Sequence, residues 1–561
     1  MMIKKLKLNK VDIVFMLLFL IGSIFIFYKC QYGFGNQDES FYLTVPYRLT
    51  AGDGLFINEW HLSQMAGFLI YPFMKLYQLV FDGTDGIILH FRYIFTFLHI
   101  CTSLFIYARL RKYKIAALGA SISYLLFTTF GIMALSYNSI AVACTTITGI
   151  LLATNDNKKW YISYLAGLFY AAAVLCCPYL VIGYFIYALV SIIISIKSHI
   201  KDNIKEFIYL TLGCATLAVI FGIFVLSRAS ISEIMSAFPI LLNDPDHPRV
   251  TILENIYKYI TFIRYSNVFS ELVIGGTVVL SIIIVSDKKD GQNKYIYAII
   301  GILLTVIYIL PFIFFNRYIN FLMFPSCILG LFAFLFLPKK NLKYFLFLWL
   351  NGFIYAFCVN WSSNQGFYVI STATTVSTIG SFIMIYNWLK DWDIKKYKFN
   401  MQLKYTTCIL LAVFICLMGY VRYNSLFWEN GSMSDMTEQI TVGAEKGIFT
   451  TKENKENYEQ LYADTQPVRD INDGSVLYYT TSTYLYLSDS KPSASFSAWL
   501  SGINEPSFNK LMEYYNLNPD KIPSVIYCSK SDYNVLEYVN GFIDAFGYNL
   551  EQTELGYILK K

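Results

Sequence analysis

The sequence predicts an α-helical polytopic membrane protein of about thirteen transmembrane helices, followed by a small extracytoplasmic C-terminal α/β domain. Three observations carry that expectation. The 561 residues are 56% hydrophobic and only 15% charged, with a mean hydropathy of +0.47, whereas soluble domains carry roughly a quarter charged residues. Apolar runs of the length that crosses a hydrocarbon core, about 17–25 helical residues, recur between residues 11 and 421. Beyond Val421 the composition shifts to Asn, Asp, Glu, Ser and Tyr, and no spanning run remains.

Lys4, Lys5, Lys7 and Lys10 precede the first run like the basic region of a signal peptide. No small-residue cleavage site follows, so the run is expected to stay as the first span. Spans are placed at 11–28, 87–108, 115–135, 137–154, 160–177, 179–196, 207–227, 266–286, 295–315, 319–337, 342–359, 367–389 and 404–421. More than half of the 44 Lys and Arg fall in the N-terminal segment and in alternate connectors such as RLRKYK at 109–114. Basic residues collect on the cytoplasmic side, so the N-terminus is expected inside and the C-terminal domain outside a multi-pass cell-membrane protein. Residues 65–81 are apolar, but counting them as a span would reverse every later connector. Pro72 and Lys75 also interrupt them, and a helix at the outer interface is expected instead. A second interfacial helix is expected over 40–51, where Tyr42, Val45, Pro46 and Leu49 alternate with polar positions.

The chain thus divides into 1–421, a transmembrane catalytic domain whose outer loop 29–86 carries the candidate site, and 422–561. In the second part Val476–Leu487 alternates as a strand, Ser524–Cys528 reads as a short buried strand, and Val535–Phe546 reads as a helix. Gly443–Thr451 reads as a strand-to-loop lead-in. The eleven cysteines are scattered, mostly within apolar runs, and form neither a disulfide framework nor a metal cluster.

The chemistry concentrates after the first span. QYGFGNQDESFYLTVPYRLTAGDGLFINEWHLSQ at 31–64 holds Asp38, Glu39, Asp53, Glu59 and His61. Acidic side chains at a membrane edge are costly to keep, which marks them as functional candidates. Asp38 is the expected general base for a hydroxyl acceptor, a role worth about 10²–10⁴ in rate; the bland alternative is a solvated acidic pair. Glu59 and His61 flank Trp60. His61 suits a phosphate or a loop contact, and one His among scattered acids is not metal-ligand spacing. Trp60, Tyr42 and Tyr47 suit either a sugar face or an interfacial position. Arg92, with His90, stands at the outer start of the second span and Arg317-Tyr318 at the end of a later one. Each arginine is read as a phosphate contact or as an interfacial anchor. Arg249, Lys258 and Arg264 are weaker candidates of the same kind.

QDESFY at 37–42, the Gly86…Arg92 lead-in to the second span and NRY…P at 316–325 together resemble the GT-C glycosyltransferases. The likeness is nearest to the family 39-like protein O-mannosyltransferases and lipid A aminoarabinose transferases. The resemblance covers the layout of the whole membrane region. It implies a GT-C-like fold, a polyprenyl-phosphate-linked sugar donor, and a glycan, glycolipid or protein acceptor on the outer face. It also implies Asp38 as the catalytic carboxylate, Glu39 as the neighbour that orients acceptor or helix, and Arg317 and Tyr318 as contacts to the carrier phosphate. Relatives carry a second acid between the third and fourth spans. Here LSYNSI places Asn138 there, which can bond a sugar hydroxyl but cannot serve as a base; Asp53 is the candidate substitute. The expected activity is inverting hexosyl or pentosyl transfer, with no cofactor and no nucleic-acid partner; a divalent metal is left open, without support in the sequence. The rival reading is a transporter or flippase of a lipid-linked sugar or envelope precursor. It is disfavoured because no repeat and few midplane charges are present.

Overall fold

The computed structural model describes residues 8–61, 63–128, 131–198, 202–241, 251–254, 256–257, 323–363, 370–395, 401–426, 429, 431–471, 474–482, 484–489, 491–495 and 503–561. The predicted spans at 266–286 and 295–315, and Arg249, Lys258, Arg264, Arg317 and Tyr318, lie outside these residues. The described residues of the other predicted spans are mostly helical, except that helix covers only the first part of 115–135. Among the described residues, four helical stretches are long and apolar enough to cross a membrane: Lys10–Lys29, Ile87–Tyr113, Ile204–Leu226 and Pro338–Trp361.

Helix α1 (Lys10–Lys29) opens with a capping box, in which Asn9 and Asp12 each accept from the other's backbone N–H. Asp12 is then clamped by Arg111 at 2.7 Å and Tyr107 Oη at 2.7 Å, fastening α1 to the end of the helix over Ile87–Leu110, α4. Two helices precede α4: α2 (Asn36–Thr50) and α3 (Ala66–Val80). Helix α4 (Ile87–Leu110) leads to α5 (Ile115–Leu126), which is shorter than the span predicted over 115–135. At Phe127 the backbone turns extended and Gly131 takes a φ of +82°. Of the remainder of that run, the described residues 127–128 and 132–135 are buried and lie outside any helix. Twelve helical residues rise about 18 Å, well short of a hydrocarbon core of about 30 Å.

Helices α6 (Tyr137–Ala153), α7 (Trp160–Cys176), α8 (Val181–Ser198) and α9 (Asp202–Leu226) follow. The α7–α9 contact depends on two glycines. A Cβ on Gly167 would lie 2.0 Å from the Leu210 carbonyl oxygen, and one on Gly213 would lie 2.1 Å from that of Tyr164. Small residues let helix backbones approach this closely. Gly167→Val is expected to lower the thermal midpoint of the purified protein, by the loss of about 1–3 kcal/mol that overpacking brings; an unchanged melting curve would refute the close crossing.

After α10 (Ile231–Leu241) come α11 (Phe324–Phe336), α12 (Pro338–Tyr344) and α13 (Asn351–Ser363), with a π-turn at Phe345–Leu350 between the last two. The long helices α14 (Ile370–Lys395) and α15 (Met401–Asn424) complete the helical part.

The chain then forms a hairpin-like pair, β1 (Glu438–Gln439) and β2 (Phe449–Thr450), and a four-stranded sheet. Strands β3 (Val476–Tyr479) and β4 (Val525–Ser529) run parallel; β6 (Gly556–Lys560) and β5 (Asn549–Gln552) continue the sheet antiparallel, giving the order β3-β4-β6-β5. VLYY and VIYCS are buried at every position, as strands covered on both faces should be. The strand predicted over Val476–Leu487 ends at Tyr479. Residues Tyr484–Leu487 form a helical turn with all four side chains buried, so their alternation of Tyr and Leu does not mark two faces.

This C-terminal unit is stitched to the loop after α1 by backbone hydrogen bonds. Gly33 N–H donates to Phe449 O and Phe449 N–H to Gln31 O, both at 2.8 Å. Gly86 N–H donates to Gly443 O at 2.9 Å and Ile88 N–H to Ala444 O at 3.2 Å. The predicted interfacial helix over 40–51 is correspondingly different from expectation. Helix α2 is buried along nearly its whole length, because α3, α4 and the C-terminal unit close around it. Helix α3 does leave Leu76, Leu79 and Val80 exposed at its end, an apolar surface of the kind an interface helix presents.

Candidate active site

Helix α2 carries Asp38 and Glu39 in its first turn, where the unpaired N–H groups and the helix dipole favour negative charge. The two neighbours have opposite fates. Glu39 is 1% exposed and accepts from Arg92 Nε at 3.0 Å and from Arg92 Nη2. The rest of the Arg92 guanidinium donates to the carbonyls of Cys30 at 3.1 Å and Gly33 at 2.7 Å. Arg92, a candidate phosphate contact, is thus spent on fastening α4 to α2 and to the end of α1. Gly35 is needed here: a Cβ on it would lie 2.1 Å from a Glu39 carboxylate oxygen.

Asp53 and Glu59 are also enclosed, at 6% and 2% exposure. Both bind Arg48, which sequence reading passed over: Nε to Asp53 at 2.8 Å and Nη1 to Glu59 at 2.7 Å. Lys521 of the C-terminal unit adds a second cation to Asp53 at 2.5 Å. Asp53 is therefore part of a buried ion network instead of a substitute base. His61 closes a tight turn, with Ser63 Oγ 2.8 Å from Nδ1 and the Phe41 ring 4.5 Å from its own. Trp60 is buried edge-on against Tyr514, which removes it as a sugar platform.

Asp38 keeps partial exposure. Its charge reaches Tyr42 and Tyr137, whose rings meet edge to face at 5.5 Å. Burial, and then the Asp38 carboxylate, hold the Tyr42 phenol well above its ordinary range. Beside Tyr137, Asn138 is 4% exposed and its Oδ1 accepts no hydrogen bond, while its carbonyl receives Tyr355 Oη at 3.4 Å. The structure thus brings Asp38 near Tyr42 and Tyr137 at the start of α6. It places Glu39, Arg92, Asp53, Glu59 and His61 in the surrounding scaffold. Among the described residues no three His, Cys, Asp or Glu side chains converge as a metal site.

One further carboxyl was not foreseen. Glu445, in the loop before β2, is fully buried and neither of its oxygens finds a hydrogen bond. Burial pushes it up to about 8; the Arg92 charge pulls downward and that of Glu39 adds to the rise. In the unfolded chain it ionises near 4.5, so between pH 4.5 and 8 the unfolded state holds fewer protons. Stability through this group therefore falls as pH rises across that window, by up to about 1.4 kcal/mol per unit. Glu445→Gln is expected to gain stability over the natural protein between pH 5 and 8, read from melting midpoints across pH; parallel curves would refute it.

No known family profile and no curated protein matches this sequence. Among solved structures, the chain is similar to the crystal structure of the Archaeoglobus fulgidus oligosaccharyltransferase complexed with zinc and sulfate. The identity is 12%, covering 96% of this chain and 72% of that one, with a TM-score of 0.44. Agreement at this level does not fix a shared fold.

Proposed function

We propose that this chain is a GT-C-type membrane glycosyltransferase. It would move a sugar from a polyprenyl-phosphate carrier to a hydroxyl of a glycan, glycolipid or protein at the outer face. The observation that supports this most is the partial exposure of Asp38. Of the acids between residues 31 and 64, Glu39, Asp53 and Glu59 are enclosed with arginines, while Asp38 is only half-buried at a helix N-terminus.

In this reading the acceptor hydroxyl gives its proton to the Asp38 carboxylate as its oxygen forms a bond to the anomeric carbon. The bond from that carbon to the phosphate oxygen breaks with its electron pair, and configuration inverts. Carrier phosphate is a stable anion, so the site needs one base and a neutralising cation more than an acid. The buried Asn138 Oδ1 is an acceptor for a sugar hydroxyl, and a site built around such a group discriminates against analogues lacking the hydroxyl. Helices α1, α4 and α9 and the Pro338–Trp361 stretch would cross the membrane, with the sheet on the outer side.

The test is incubation of the purified protein with a panel of polyprenyl-phosphate sugars. Release of carrier phosphate coupled to labelling of an acceptor is expected for at least one donor. Vectorial movement of an intact lipid-linked sugar across proteoliposomes, with no bond broken, would replace this reading with transport.

A further inference from the structure

Three cations are buried where α1, α4 and α15 end or begin: Lys29 at 1% exposure, Arg92 at 3% and Arg422 at 1%. Arg92 is balanced by Glu39. The other two form no ion pair among the described residues. Lys29 Nζ donates to the Ser425 carbonyl at 3.0 Å. Arg422 reaches the Gly131 carbonyl through Nη1 at a long 3.4 Å, and its Nε and Nη2 find no acceptor among the described residues. Lys29 also lies within the repulsive field of Arg422.

The charges do not close. Lys29 and Arg422 sit in the last turns of their helices, where each C-terminus offers roughly half a negative charge. Two such ends offset about one of the two cations. A buried cation left over costs several kcal/mol even after relaxation. Nε and Nη2 are, moreover, the two parallel donors of one guanidinium edge, the geometry that holds two oxygens of a phosphate or carboxylate. The Lys29 ammonium, close enough to feel the Arg422 charge, suits the higher charge of a phosphate monoester.

We propose that Lys29 and Arg422 form a binding site for a phosphate monoester, with the Arg422 Nε–Nη2 edge holding two of its oxygens and Lys29 neutralising the third. The group is either free inorganic phosphate or the head of a polyprenyl monophosphate. Only the second assignment rests on the transferase reading, where it would be the released carrier.

The experiment is thermal unfolding of the full chain in detergent against inorganic phosphate and polyprenyl monophosphate, with chloride at matched ionic strength as the reference. At least one phosphate is expected to raise the midpoint dose-dependently. Arg422→Gln and Lys29→Gln should each weaken its apparent affinity at least tenfold, and Arg422→Lys less than Arg422→Gln. A response to the lipid alone assigns the site to a lipid head group; a response to both assigns it to the phosphate itself. No response to either, or equal affinity in the natural protein and the Gln variants, overturns the site. Lys29→Gln serves alone where Arg422→Gln does not fold. Asp38→Asn should retain the phosphate response, so loss of sugar transfer and loss of this site are read separately.

Discussion

Asp38→Asn is expected to reduce sugar transfer by about 10²–10⁴-fold, the contribution of a general base, while leaving the melting midpoint unchanged. Asparagine keeps the size of the side chain and its acceptor oxygen at the start of α2, so little packing is lost. What it removes is the ability to take a proton. If the base acts in the bond-forming step, the loss falls on kcat, and the pH dependence of kcat/KM loses its acidic limb. Glu39→Gln must behave differently, since that carboxylate faces Arg92 and not the accessible side of the helix. Its substitution should weaken folding before it touches chemistry. Full activity in Asp38→Asn would end the proposed mechanism.

Arg92→Ala is expected to be the most destabilising single change, costing about 3–5 kcal/mol, because it strands the buried Glu39 carboxylate. Its guanidinium also satisfies the carbonyls of Cys30 and Gly33, and those would be left unpaired as well. The checking measurement is the yield of folded protein in detergent together with its unfolding midpoint. Arg92→Ala combined with Glu39→Leu should recover part of the loss, since removing both charges abolishes the stranded ion. A double variant no better than the single one would show that the pair is not the source of the effect.

The helical part of the fold was legible because apolar length is a local property. Most described residues of the predicted spans are helix, 115–135 being so only in its first part, and the helix over 40–51 was readable from its spacing. Its near-complete burial was not, since part of the cover on α2 comes from Tyr484–Leu487, far along the chain. The candidate site divides in the same way. Asp38 stood out through its place after the first span, whereas nothing local told it apart from Glu39, whose partner lies 53 residues away. Arg48 was passed over because a single arginine in an amphipathic pattern reads as surface; its ion pairs appear only when 53 and 59 fold back. Lys29 and Arg422 did leave a trace. They are cations at the predicted outer ends of spans, in a chain whose basic residues are expected to gather on the other side.

The backbone bonds between Gln31–Gly33 and Phe449 impose an order in time. Peptide bonds are made at roughly 5–20 residues per second, so about 400 residues of synthesis separate these partners, or roughly 20–80 s. Until Phe449 emerges, the segment that leads into Asp38 lacks its neighbouring strand, and Glu445 has not arrived beside Arg92. A ribosome-bound chain could therefore complete its membrane helices while the first loop is still unfinished. In the proposed enzyme, this makes the last quarter of the protein the step that switches activity on, and a chain broken off early would be inserted but inert.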